Sequence, residues 1–342
     1  MSVSPTSARP PGMHDVARQV GVSHQTVSRV VNGHPNVRPE TRERVMAAIS
    51  ELGYRRNTAA RALVTRRSGV VGIVTTGSGL FGPASTLLAV ESAARDAGYF
   101  VSVSSLRAAD ASDIAVNLEH FLDQGAEGVV VIAPWDEVAE AAGGFAVQLP
   151  VVLVAADAPV MPGFHSLSVD QEAGARMAVQ HLLGLGHRRI LHVSGPADWF
   201  DARARTRGYT RELLDAGLEP MEVVAGDWSA ESGYAIGRKL KRSALPDAVF
   251  LANDMMALGF LRAMREKKID VPGDISVVGF DDVLGSAFFD PPLTTIRQDF
   301  ERLGQECLAV LGRVLNGSPD PDSDPLPPEL VVRASTGPVR GR

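Results

Sequence analysis

The stretch HDVARQVGVSHQTVSRVVNG, residues 14–33, reads as two short helices joined by a tight turn. In residues 14–20 the apolar positions Val16, Ala17 and Val20 share one helical face. Gly21 follows, and glycine readily takes the left-handed conformation that a helix end needs. Ser23 is a good N-cap for the next segment. Residues 24–32 place Val27, Val30 and Val31 on one face, and His24, Gln25, Ser28, Arg29 and Asn32 on the other. A helix backed by valine and faced with hydrogen-bonding side chains suits the major groove. Gln is a bidentate partner for adenine and Arg for guanine. The first helix would cross the backbone while the second enters the groove. The plainer alternative is a small three-helix domain with an ordinary solvated face.

Charge favours the nucleic-acid reading. Residues 1–67 hold eleven Arg, no Lys and four acidic residues, a balance of +7. The whole chain is −6, so the remainder is −13. A basic head on an acidic body suits phosphate binding by the head alone. At 342 residues, two or three domains with sizeable cores are expected. No run of about 18 apolar residues occurs, so no membrane span is expected. Residues 1–12, MSVSPTSARPPG, lack an apolar signal region and read as a disordered tail. Cys307 is the single cysteine, which excludes intramolecular disulfides and cysteine-cluster zinc sites. Together these features point to the cytoplasm, with no cofactor or metal.

A third helix is expected over about 39–52, with Val45, Ala48, Ile49 and Leu52 apolar and Gly53 at its end. The headpiece then covers 13–56. Residues 57–67 follow as a hinge, with Asn57 as N-cap of an Ala-rich helical stretch to about residue 64. That stretch is too short to be stable alone, and it reads as ordering on binding. From Gly69 the pattern becomes βαβ. The strands GVVGIVTT, YFVSVS, GVVVIAP and PVVLVAA form one parallel unit, with a first helix over about 85–97. After HSLSVD the theme restarts with helices near 171–183 and 202–215 and strands RRILHVSG, MEVVAGD, DAVFLAND and DISVVGFDD. LTTIRQDF is extended, a helix covers about 300–315, and LVVRAST is the last strand.

These residues carry a family resemblance. DVARQVGVSHQTVSRVVNG, NTAARAL, LLGLGHRRI, GDWSAESGY, LANDMMALG, DISVVGFDD and PPLTTIRQDFERLG, in this order, resemble the LacI/GalR family of transcriptional regulators from about Met13 to Gly337. The resemblance implies an all-α helix-turn-helix headpiece and a periplasmic-binding-protein-like α/β core over 68–342. That core would have two parallel-sheet subdomains, one of about 68–168 and 299–327, the other of about 169–298 and 328–342. The chain would cross between them near Ser168, Gln298 and Pro327. It further implies DNA contacts from Ser23, His24, Gln25, Thr26, Ser28, Arg29 and Asn32, and from Asn57, Ala60 and Leu63 of the hinge. Leu63 would wedge into the minor groove at the centre of a pseudo-palindromic operator, where an apolar side chain can unstack a base step. The implied partners are a double-stranded operator, a second copy of the chain and a small sugar.

For that sugar the resemblance implies Arg205, Trp228, Asn253, Asp281, Gln298 and Phe300, with Thr76, Leu80 and Pro83 from TTGSGLFGP. Polar groups in loops after strands can hold hydroxyls while Trp packs on the ring. The adjacent Asp254 and Asp282 read as a cap and a turn residue. Where the family pattern has a sugar-binding aspartate after PVVLV, this chain has Ala155, and the nearest carboxylate is Asp157. Two other signals remain. GSGLFG, residues 77–82, is a literal G-x-G-x-x-G, but the following strand ends in SVSS with no acid, and Pro83 should delay the helix. His181, His187 and His192 lack i,i+4 spacing and read as turn and core residues. The expected function is a repressor released by a sugar. The alternatives are the same architecture answering to a corepressor such as a purine, and a sugar-handling enzyme or binding protein.

Overall fold

The computed structural model describes residues 11–54, 67–107, 111–133, 135–156, 164–318 and 324–339. The chain divides into two compact units, Met1–Ser68 and Gly69–Arg342. The first holds α1 (Met13–Val20), α2 (His24–Val31) and α3 (Pro39–Leu52). Gly21 ends α1 at φ 72°, and Ser23 caps α2 by accepting from Thr26 N at 3.1 Å. Pro39 opens α3, where a missing N–H costs nothing. Val16, Ala17, Val20, Val27, Val30, Val45, Ala48 and Tyr54 form the core of this unit. The valine stripe that the spacing implies is therefore the buried one.

The second unit contains two parallel sheets. The first has β1 (Val70–Thr75), β2 (Phe100–Ser105), β3 (Gly128–Ile132), β4 (Val151–Val154) and β5 (Phe164–Leu167), in the order β2-β1-β3-β4-β5. α4 (Phe81–Asp96) and α11 (Phe300–Leu315) cover one face, meeting Val71, Ile73, Val130 and Val152. α5 (Ala111–Asp123) and α6 (Asp136–Phe145) cover the other, meeting Val74, Val129, Val131 and Leu153. Alternate strand residues thus enter two cores, which explains why these strands read as unbroken apolar runs.

The second sheet has β6 (Ile190–Ser194), β7 (Val224–Ala225), β8 (Ala248–Leu251) and β9 (Ser276–Val278), in the order β7-β6-β8-β9. α7 (Gln171–Gly184) and α8 (Phe200–Asp215) pack on one side, and α9 (Ala230–Lys239) and α10 (Asp254–Glu266) on the other. α9 and α10 touch backbone to backbone. A Cβ on Gly259 would lie 1.7 Å from the Ala230 carbonyl oxygen. An antiparallel pair, β10 (Thr295–Arg297) and β11 (Glu329–Val331), joins this half through bridges from Val278 to Thr294 and from Asp281 to Arg297.

Three segments run between the halves: 168–170 after β5, 298–299 after β10, and 324–328 before β11. Two of them are laced together, Leu326 N donating to Ser168 O and Asp170 N to Leu326 O, both at 2.8 Å. Among the described residues the expected element order holds, with differences in detail; the expected tail over 1–10 and most of the expected hinge, 57–66, lie outside them. HSLSVD contributes a fifth strand, β5, to the first sheet. α4 begins at Phe81, four residues before the expected start. Pro83 does not delay it, because the first-turn N–H groups of a helix have no intrahelical partner to lose.

Candidate functional site

A cleft opens between the two sheets of the second unit, with a cavity of about 70 Å³. Its lining follows the C-terminal ends of parallel strands, where open α/β sheets present their ligand sites. The polar pole is a closed ring of four side chains. Arg205 on α8 donates from Nε to Gln171 Oε1 at 2.9 Å. Gln171 Nε2 donates to Gln298 Oε1 at 2.8 Å, and Gln298 Nε2 donates to Asp281 Oδ1 at 2.7 Å. Arg205 Nη2 closes the ring 3.7 Å from Asp281 Oδ1. Gln171 directly follows one crossing segment and Gln298 lies in another. The pole is therefore built on the connections between the halves.

Arg205 is buried, and it also donates to the Ala252 carbonyl and lies 3.8 Å over the Phe280 ring. Burial raises the Asp281 carboxyl from 3.8 to about 6, against the pull of Arg205 and the Gln298 hydrogen bond. Asp281 sits at φ 110° and Trp228 at φ 72°. Such backbone cost persists only where the surroundings over-determine it, and it gathers at binding sites. His192, beneath the pole between Phe250 and Tyr209, is pushed down to about 4 by burial, so it adds no charge near Arg205.

The remaining walls are apolar. Trp228 lies flat on the backbone of Gly195, where a Cβ would come within 2.1 Å of the indole. Its Nε1 is buried and has no hydrogen-bond partner among the described residues. Leu80, Phe81, Pro83, Ile132, Ala133 and Ala155 form the opposite wall, with Phe300 edge-on to Phe81 at 5.7 Å. Of the residues expected in this pocket, Leu80, Pro83, Arg205, Trp228, Asn253, Asp281, Gln298 and Phe300 line it. Thr76 does not. It closes the turn after β1, its hydroxyl 2.7 Å from that of Ser78. Asp157 lies outside the described residues.

In the Asn253–Asp254 pair the capping role falls to Asn253, which also lines the pocket. Asn253 is the N-cap of α10, accepting from Met256 N at 2.8 Å while its Nδ2 donates to Trp228 O at 3.0 Å. Asp254 is not a cap. It is buried and accepts from Thr295 Oγ1 at 2.6 Å and Val283 N at 2.9 Å. Burial, then Asp281, pushes its carboxyl well above the usual range. Asp282 holds Arg333 and Arg297 at 2.6 and 2.7 Å. The sequence reading missed Gln171, Trp199 and Asp201 as pocket residues. Asp201 was legible, standing four residues before Arg205 on the same helical face. Gln171 was not, because only the fold brings it beside Gln298.

On the headpiece, Gln25, Arg29 and Asn32 are exposed along the outer face of α2. Ser23 and Thr26 engage each other at 2.9 Å in the cap, and Asn32 bonds Ser28 at 3.3 Å. His24 stacks on His14 with centroids 4.5 Å apart. Asn57, Ala60 and Leu63 lie outside the described residues. His181 and His187 hold the C-terminal residues Thr336 and Gly337 at 2.9 Å, and His192 Nδ1 lies 3.0 Å from Phe250 O.

Comparison with known proteins follows the same division. Residues 12–57 match the model for bacterial regulatory proteins of the lacI family, and residues 179–336 match a periplasmic binding protein-like domain. The lactose operon repressor of Escherichia coli K12 is 36% identical over 330 residues, spanning 96% of this chain and 91% of the relative. The regulator CelR of Thermobifida fusca is 35% identical over 96% of this chain and 98% of its own length. Among solved structures, the lac repressor dimer bound to operator and the anti-inducer ONPF aligns with a TM-score of 0.87, at 35% identity over 96% of this chain and all of that one. A CelR–cellobiose complex aligns with a TM-score of 0.69, at 31% identity over 95% of this chain and 99% of that one. The chain belongs to the LacI family of bacterial regulatory proteins.

Proposed function

We propose that the chain is a cytoplasmic, dimeric transcriptional repressor that binds a pseudo-palindromic operator and is released from it by a small sugar or glycoside. It is a regulator and not an enzyme, as its relatives are. One observation carries the sugar reading: a buried ring of Arg205, Gln171, Gln298 and Asp281 faces an aromatic and aliphatic wall. A sugar offers hydroxyls around its rim and apolar C–H faces, and this pole and wall match both. The operator-bound lac repressor and the cellobiose-bound CelR support the DNA and sugar halves of the reading.

The coupling follows from where the pole is built. Hydroxyls that exchange bonds with Gln171 and Gln298 act on two segments connecting the halves of the core. A ligand shifts an equilibrium only by its differential affinity for the two states. Here the relative placement of the two halves is the quantity that the ligand can bias. On the headpiece, Gln25, Arg29 and Asn32 read base edges, His24 and Ser28 flank them, and Ser23 and Thr26 hold the helix start. Asn57, Ala60 and Leu63 serve the minor groove.

The test is selection of duplexes from a random library by the full chain. The expected product is a pseudo-palindrome, and Arg29→Ala should relax preference at one position per half-site at a cost of about 1–3 kcal/mol. Failure to enrich any sequence contradicts the proposal.

A further inference from the structure

His14 is the second residue of α1, and His24 is the first of α2. Their imidazoles stack across the join between the helices, with centroids 4.5 Å apart and planes inclined by 26°. His14 is exposed and His24 half-buried. His24 directly precedes Gln25 and stands one turn before Ser28 and Arg29, so the stack borders the outer face of α2. Among the described residues the stack is the one polar or ring contact that either imidazole makes with the protein. His14 was not among the residues that the sequence assigned to DNA.

The charged groups of the surrounding helices are engaged away from the rings. On α1, Asp15 accepts from Gly12 N at 2.8 Å and faces Arg18 at 3.9 Å. On α3, which packs against both helices, Arg42 and Arg44 donate to the His34 and Val20 carbonyls at 2.7 and 2.6 Å, and Glu51 accepts from Gln19 at 2.6 Å. Glu40 and Glu43 of α3 and Arg29 of α2 form no ion pair or hydrogen bond with either ring. No carboxylate among the described residues therefore neutralises the pair, and residues 1–67 carry +7 with His counted neutral. Imidazole is the side chain whose charge changes between about pH 5 and 8. Two imidazolium rings at stacking distance repel, which opposes a second charge on the pair. A phosphate beside the stack reverses that cost, because a nearby opposite charge favours the protonated form. Packing alone accounts for two flat rings in contact. It does not account for two titratable rings without a counter-charge beside the face that meets DNA.

We propose that His14 and His24 form a phosphate-binding pair that takes up a proton when the headpiece docks on DNA. The inference rests on the operator reading above. The imidazole N–H groups donate to a backbone phosphate beside the bases that Gln25 and Arg29 read. The proton comes from solvent and stays on a ring nitrogen while the phosphate is in contact. Binding that strengthens the hold of the pair on a proton gains affinity as pH falls, and the gain is lost as pH rises through the range where the bound pair discharges. Phosphates position a protein without carrying sequence. The proton-linked part of the affinity is therefore shared by the operator and any other duplex, and Gln25 and Arg29 supply the difference between them.

The test is fluorescence anisotropy of the full chain with two labelled duplexes, the pseudo-palindrome enriched from the random library and a random sequence. Both are titrated at one ionic strength between about pH 6 and pH 8. Affinity for each should rise at least about tenfold per dimer from the upper to the lower pH. Calorimetry of operator binding near pH 7.5 in Hepes and in Tris, whose ionisation heats differ, should show uptake of about one proton per dimer. The double variant His14→Phe, His24→Phe keeps a ring stack without its protons, and its affinity should change less than about twofold over the same range. His14→Lys supplies a fixed charge at an exposed position, so it should bind more tightly than the wild type at the upper pH and lose about half of the pH response or more. If the double variant fails to fold, the lysine variant decides. A wild-type affinity that is flat or falls as pH is lowered, or an unchanged pH response in the folded variants, overturns the proton-linked pair and leaves the operator reading standing. A response seen with the operator alone overturns the phosphate contact. A wild type that enriches no duplex at either pH overturns the operator reading itself, and this inference with it.

Discussion

Replacing Arg205 by alanine should destabilise the core by an amount that depends on pH in a calculable way. In the wild type, burial holds the Asp281 carboxyl at about 6 against 3.8 when free. At pH 7 the ionised group therefore already costs the fold about 3 kcal/mol. Without Arg205 the charged form is worse still, but Asp281 can escape by taking a proton. At pH 7 protonation costs about 4.4 kcal/mol relative to the free carboxylate, so the added penalty is capped near 1.4 kcal/mol. At pH 5 Asp281 is already protonated in the wild type, and this part of the penalty vanishes. The lost donations to Gln171 and the Ala252 carbonyl add about 1 kcal/mol each, because pocket water can replace them. The expected loss is about 3 kcal/mol at pH 7 and about 2 kcal/mol at pH 5. Urea unfolding followed by far-UV dichroism at both pH values measures it. Equal losses at both pH values, or a larger loss at pH 5, would refute the reasoning. The same variant should lose effector affinity by at least about tenfold, the scale of one charge-assisted hydrogen bond.

Four further outcomes are expected. Asp281 gains its proton more readily folded than unfolded, so it adds stability as pH falls through about 6 and loses it as pH rises; Asp281→Asn should remove about 1.4 kcal/mol of the stability change between pH 5 and pH 7, seen as a flatter pH profile of the urea midpoint. Gly259→Ala forces a methyl against the Ala230 carbonyl and should cost at least about 1–3 kcal/mol, more if the backbone must move, read as a lower thermal midpoint of the core. Val27→Thr buries a hydroxyl in a core of eight residues and should cost about 1–3 kcal/mol, melting the headpiece and abolishing duplex binding while calorimetric sugar binding is unchanged. Sedimentation equilibrium at micromolar concentration should give a dimer; a stable tetramer or a monomer would contradict the assembly expected here.

The headpiece was legible almost residue by residue, because a short helix with a valine stripe, a glycine stop and a serine cap leaves few alternatives. Val16, Val27 and Val45 are fully buried, as their spacing implies. The strands of the core were legible as apolar runs, but β5 was not: FHSL has only two apolar residues and pairs at the sheet edge. The pocket was legible through family motifs and not through pattern. Arg205 reads from sequence as a ligand donor near the start of a helix; it is also the buried counter-ion of Asp281 and the partner of Gln171, and local sequence cannot convey that double duty. Asn253 and Asp254 are adjacent and both polar, and which one caps the helix depends on Thr295, 41 residues after Asp254.

The central claim is that a sugar in the core weakens the grip of the headpiece on DNA. It is tested most directly by fluorescence anisotropy of a labelled operator duplex titrated with the full chain, with and without a saturating sugar that calorimetry shows to bind. Operator affinity should fall at least tenfold with the sugar present, while affinity for a random duplex stays unchanged. Unchanged operator affinity, or tighter binding of the kind a corepressor gives, would contradict the claim.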